Sequence, residues 1–195
     1  MVKLDLITKN TKENDEYYTP KYAIYPLLKY IRKDAVVWCP FDLEESNFVR
    51  LLREHGCKVI FSHISLGQDF FNYLPEGKID YIISNPPYSL KTEVFKKLFE
   101  LKIPFAMLVG VVGIFESKKR FNIFKENNFE VLTFDKRIKF FKSLGEQNPS
   151  LNPPFSSIYV CSNILPKTYC FEELNPKLEV KQEAMQSEAR HSSQA

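Results

Sequence analysis

The chain predicts an α/β fold, a doubly wound and mostly parallel sheet with an antiparallel closing strand. Three observations carry this. Short runs rich in β-branched and aromatic residues alternate with segments whose apolar residues recur at helical spacing. The connections between the early runs are long enough for crossover helices, which makes the strands they join parallel. At 195 residues and 44% hydrophobic content the chain has material for one good core and hardly two.

Taken in order, Tyr17-Tyr18-Thr19-Pro20 opens a helix in which Ile24, Leu27, Leu28 and Ile31 share a face. Pro26 inside it predicts a kink or a late start. Residues 35–38 read as a buried strand, Cys39-Pro40-Phe41-Asp42 as a turn, and residues 45–55 as a helix that Gly56 ends. A second strand over 59–61 completes a βαβ unit. After Asp69-Phe70-Phe71 and a Pro75-Glu76-Gly77 turn comes the apolar run 81–84, a strand. A helix over 90–101 follows, with Leu90, Val94, Leu98 and Leu101 on one stripe and Pro104 closing it. Residues 105–112 form a strong apolar strand, 120–126 a helix, and 131–134 with 157–161 an antiparallel pair. The expected organisation is an N-terminal extension over 1–16, one folded domain over 17–175, and a loose polar tail over 176–195.

Composition narrows the setting. No stretch approaches a membrane-spanning length, and Met1-Val2-Lys3-Leu4-Asp5 lacks an apolar signal core, so a cytoplasmic protein without a membrane partner is expected. Four cysteines without metal-ligand spacing or a compact disulfide framework predict reduced thiols and no metal. A net charge of +3 is too small to diagnose a nucleic-acid partner, so its distribution matters. Two basic clusters stand out: Lys118-Lys119-Arg120, and Lys136, Arg137, Lys139 and Lys142 interleaved with Phe140 and Phe141. The second suits phosphates and stacked bases, or equally a solvated face with its aromatics turned inward.

The chemistry is stated by Asn85-Pro86-Pro87-Tyr88, directly after the 81–84 strand. Each proline fixes its own φ and pushes the residue before it out of the helical region, holding Asn85 and Pro86 extended. Ligands of open α/β sheets bind at the edge where such a strand ends. There an Asn oxygen and a main-chain carbonyl can accept both hydrogens of an exocyclic amino group while a Tyr face stacks on its ring. An adenine satisfies that description.

Asn85-Pro86-Pro87-Tyr88 is similar to the catalytic motif of S-adenosyl-L-methionine-dependent amino methyltransferases, and the chain resembles the adenine-N6 group in its small phage or bacterial form. The resemblance spans roughly residues 17–162 and implies a Rossmann-like sheet of the class I methyltransferase type. It also implies a methyl transfer to adenine N6, with DNA ahead of RNA as the nucleic-acid partner and the target base flipped out of a duplex. Asn85, Pro86, Pro87 and Tyr88 are the catalytic residues it implies. Tyr18-Thr19-Pro20 resembles the family's N-terminal cofactor segment, which holds the methionine portion, although a helix cap explains Thr19 equally well. Cys39-Pro40-Phe41-Asp42 stands at the first cofactor turn, and Asp69-Phe70 matches the pair that holds the cofactor adenine, against a local turn capped by Asp69.

Two departures bear on the cofactor. Asp42 and Glu44 stand where the family places glycines, so the first turn must sit differently, bind less tightly, or use an acid on the cofactor. Ser62 and His63 stand where an acidic residue often holds the ribose. The open alternatives are an RNA adenine or a protein glutamine as methyl acceptor, or a nucleic-acid-binding module of this fold without cofactor. Oligomeric state is not legible.

Overall fold

The computed structural model describes residues 18–143, 146 and 148–177, so the expected extension and nearly all of the expected tail lie outside the described residues. Seven strands, β1 (Val36–Cys39), β2 (Lys58–Phe61), β3 (Tyr81–Ser84), β4 (Phe105–Gly110), β5 (Glu130–Phe134), β6 (Ser157–Ser162) and β7 (Tyr169–Glu172), make one sheet in the order β2-β1-β3-β4-β6-β5-β7. Only β6 runs against the others, paired antiparallel to both β4 and β5. Among the described residues the α-helices are α1 (Lys21–Leu28), α2 (Asn47–Glu54), α3 (Lys91–Leu101) and α4 (Lys118–Glu126). This is the doubly wound, mostly parallel architecture with an antiparallel closing strand that the sequence predicts.

The alternation of side chains along each strand sends the core to both faces of the sheet. Ala106 and Leu108 of β4, with Val37, Cys39, Ile83 and Tyr159, pack with Ile24 and Leu27 of α1 and Phe48, Val49, Leu51 and Leu52 of α2. Phe105, Met107 and Val109, with Trp38, Ile82 and Val160, pack with Val94, Phe95 and Leu98 of α3 and Phe124 of α4. Each fully buried aromatic or aliphatic side chain contributes about 1.5–3 kcal/mol relative to exposure.

Helix boundaries follow local chemistry. Ser46 caps α2 by accepting from Phe48 N, and Gly56 leaves the helix at a φ of 103°. Pro26 lies inside α1, which ends at Leu28, and the chain then tightens so that Ile31 N bonds Leu28 O. The apolar run expected to continue to residue 112 stops as a strand at Gly110, with one further bond in register from Val111 N to Ser156 O before the chain turns. Strand β7 was not legible in the sequence. It is an edge strand whose Cys170 is buried while Tyr169 and Phe171 face outward, so neither an apolar run nor a polar alternation marks it.

The order places a switch point between β1 and β3: the chain leaves β1 for β2 on one side and returns to β3 on the other. Crevices of open α/β sheets form at the carboxyl ends of the strands at such a point. The turns after β1 and β3 are Cys39-Pro40-Phe41-Asp42 and Asn85-Pro86-Pro87-Tyr88.

Helix α1, which begins directly after Pro20, is tied to the sheet by the buried Tyr159, whose hydroxyl donates to Ala23 O at 3.1 Å. Tyr159→Phe is expected to lower stability by about 1 kcal/mol, read as a shift of the urea midpoint without a change of slope.

Candidate active site

The Asn-Pro-Pro-Tyr turn meets the N-terminal segment in space. Asn85 Nδ2 donates to Thr19 Oγ1 at 3.4 Å, and Thr19 O accepts from Asn47 Nδ2 at 2.9 Å, so Thr19 joins the end of β3 to the start of α2. Thr19 is not the helix cap, since Pro20 occupies that position and α1 has no side-chain cap bond. Tyr18 pairs with Phe141 through two main-chain hydrogen bonds, bringing the segment onto the β5–β6 connection.

Asp42 occupies the centre of the switch point. Ser46 Oγ donates to its Oδ1, Ser84 Oγ donates to its Oδ2, and its own N donates to Ser62 O at 3.2 Å. One carboxylate therefore ties the β1 turn to the N-terminus of α2 and to the residue before Asn85. Burial pushes the Asp42 carboxyl up to about 6, against the hydrogen bonds from Ser46 and Ser84 that favour the charged form. Glu44 is turned outward into an exposed ion pair with Arg53 at 3.1 Å. Both acids are thus engaged by protein partners. Cys39 is fully buried, and burial followed by the nearby Asp42 pushes its thiol well up, which keeps it protonated and unfit as a nucleophile.

The remaining expected cofactor residues lie along the same rim. Pro40 is buried and Phe41 half-buried, with the Phe41 ring 4.9 Å from that of Phe70. Phe70 is itself core, 5.5 Å from the Trp38 ring. Asp69 holds its own turn: Oδ1 accepts from Phe71 N at 3.1 Å and Oδ2 from Asn72 Nδ2 at 2.8 Å. Lys97 of α3 fastens this turn by donating to Phe70 O and Phe71 O at 2.6 and 2.8 Å. Ser62 is fully buried and accepts from Trp38 Nε1 at 2.9 Å. His63 is half-buried, with Nδ1 directed at Ser65 by accepting from its N at 3.2 Å. Thr19, Cys39, Pro40, Phe41, Asp42, Ser84 and Asn85 thus form one cluster, with Asp69 and Phe70 joined to it through Phe41.

Tyr88 brings in residues that the sequence did not single out. The Lys91 ammonium lies 4.9 Å from the Tyr88 ring centre and donates to Gly110 O and Val112 O, both at 3.3 Å. Phe155 stands 5.7 Å from Tyr88, ring centre to ring centre, and lies so close to Gly110 that a β-carbon there would meet the Phe155 ring at 2.7 Å. No local pattern marks Phe155, which lies 67 residues from Tyr88; the glycine at the end of an apolar strand was the available signal. Ser157, paired with Gly110, carries a buried hydroxyl with no hydrogen-bond partner among the described residues. A buried orphan hydroxyl costs about 1–3 kcal/mol.

The second basic cluster divides by side. Lys136, Arg137, Lys139 and Lys142 are exposed, while Phe140 is fully buried and bridges to Leu151. Of the first cluster, Lys118 and Lys119 are exposed and Arg120 is turned inward. Among the described residues no helix is long and apolar enough to cross a membrane.

No family model and no curated protein matches the sequence. Among solved structures, the chain is similar to a "modification subunit of a putative type I restriction enzyme from Vibrio vulnificus YJ016", at 12% identity and a TM-score of 0.44, covering 81% of this chain and 46% of that one. The chain thus spans about half the length of that protein.

Asp42 makes stability depend on pH. Its carboxyl sits at about 6 in the fold against 3.8 as its ordinary value, so its contribution is least unfavourable below about 4 and worsens as pH rises to about 6. Asp42→Asn is expected to be no more stable than wild type at pH 4 and to gain up to about 3 kcal/mol relative to it by pH 7, measured by urea unfolding across that range. Gly110→Ala is expected to cost about 1–3 kcal/mol through the Phe155 clash, and pairing it with Phe155→Ala should return most of that loss in a double-mutant cycle.

Proposed function

We propose that the chain is an S-adenosylmethionine-dependent methyltransferase whose acceptor is the N6 amino group of adenine in DNA. The observation that carries this is the contact between Asn85 and Thr19, which joins the amine-binding turn to the methionine-end segment at the switch point of the sheet. The residues fit such a cofactor. Thr19 offers a hydroxyl at one end, the main chain of Cys39, Pro40 and Phe41 lines the turn, and His63 stands at the end of β2 where a ribose would lie. Asp42 turns its carboxylate onto Ser46 and Ser84, so the acid of the glycine-free first turn is engaged within the protein.

When bound, S-adenosylmethionine supplies an electrophilic methyl group on a sulfonium. The chain supplies geometry. The Asn85 oxygen and the Pro86 carbonyl accept the two hydrogens of the adenine amino group, which favours the pyramidal, electron-rich nitrogen needed for in-line attack. The long Asn85–Thr19 contact is weak enough to yield as the amide takes up the base. Tyr88 stacks on the purine, and Lys91 holds Tyr88 from below. The exposed cations Lys136, Arg137, Lys139 and Lys142 on the β5–β6 connection suit a phosphate backbone. A soluble, cytoplasmic setting and a domain over 17–175 accord with this reading.

Asn85→Ala is expected to lower methyl transfer by about a thousandfold or more while retaining cofactor binding in calorimetry. Radiolabel transfer to DNA, RNA and protein, measured side by side, tests the acceptor: label in RNA or on glutamine would replace DNA adenine. Absence of cofactor binding with DNA binding intact would favour a non-catalytic nucleic-acid-binding module.

A further inference from the structure

The apolar run of β4 continues past the end of the strand into a turn whose tip is exposed. Val111 and Val112 are 41% and 60% exposed. Nothing about this tip is loose. Val111 N donates to Ser156 O at 2.9 Å, and the buried Lys91 ammonium donates to Gly110 O and Val112 O. Behind it the Arg120 guanidinium donates to Ile114 O at 3.1 Å, to Gly113 O, and to Thr92 Oγ1 at 2.7 Å. Ile114 is buried, and Phe115, itself 45% exposed, rests its ring 5.3 Å from Phe124 and 5.9 Å from Phe129. Two cations and the buried Ile114 thus brace a turn that presents a pair of valines to water.

Its position and surroundings say what it meets. The Lys91 ammonium that binds Val112 O also lies against the Tyr88 ring, so the tip stands beside the amine-binding turn. Lys118 and Lys119, exposed in the first turn of α4, have no acidic residue in that turn to balance them. Positive side chains at the positive end of a helix are left for an anion to compensate. Glu116 is the one acid between tip and lysines. A rigid apolar point flanked by uncompensated positive charge matches a base stack bordered by phosphates, where apolar wedges separate base steps.

We propose that Val111 and Val112 form a fixed wedge that enters duplex DNA beside the target adenine and fills the gap that the extruded base leaves. This rests on the methyltransferase reading. The wedge contributes only where a base must leave a stack, since an unpaired adenine needs no such replacement.

The test compares wild type with the Val111→Ser/Val112→Ser double variant on an adenine-rich strand in three forms: single-stranded, fully paired, and paired with A·C mismatches at the adenines. The expected result is a loss of about tenfold or more in kcat/KM on the paired duplex, no more than about twofold on the single strand, and recovery of most of the loss on the mismatched duplex. The single-strand rate serves as the folding control. Equal loss on all three forms, or no loss on the paired duplex, overturns the wedge and leaves the methyltransferase reading standing. If wild type methylates no form of DNA, that reading falls and the wedge falls with it.

Discussion

The site depends on one buried carboxylate. Asp42 receives hydroxyl groups from Ser46 and Ser84, and so fixes the β1 turn against the start of α2 and the end of β3. These are the two edges of the crevice. A carboxylate withdrawn from water is tolerated only when its oxygens are satisfied, and each serine meets one of them. Ser84 is the residue before Asn85, so the geometry of the Asn-Pro-Pro-Tyr turn is a consequence of how the first βα turn is held. The glycines expected at that turn would allow a closer main-chain approach; here a hydrogen-bonded acid sets the loop in another way.

A second theme is the use of long cationic side chains as internal braces. Lys91, Lys97 and Arg120 all donate to main-chain carbonyls at the rim. Lys97 fastens the Asp69-Phe70 turn from α3, and Lys91 and Arg120 fasten the turn after β4. Loops at the carboxyl edge have carbonyls that no sheet partner satisfies, and a charged donor there makes a stronger bond than a neutral one. The rim is accordingly held by the helices on one face of the sheet, while the Thr19 segment approaches from the helices on the other.

Much of the fold was legible. The strand over 81–84 agrees with β3 residue for residue, and the β1–α2–β2 unit differs only at its ends, as boundaries set by hydrogen bonding rather than by composition must. The antiparallel pairing of the last expected strands is present as β5 and β6. What the apolar pattern misled on was β4, where two valines continue the run beyond the strand, and β7, whose exposed aromatics give no periodic signal. Of the candidate residues, Thr19, Cys39, Pro40, Phe41, Asp42 and Asn85 come together. Ser62 and Asp69 spend their polar atoms on Trp38 and on a local turn.

The sequence by itself determined the succession of elements and the stiff Asn-Pro-Pro-Tyr turn, because hydrophobic period and proline geometry are local properties. It also identified Asp42 as the departure at the first turn. Only the tertiary structure decided where that carboxylate points, that Thr19 meets Asn85, and that Lys91, Phe155 and Gly110 surround Tyr88. Apart from the near neighbours Lys91 and Ser46, those are pairings between residues far apart in the chain, selected by strand order and by the need of buried polar groups for partners.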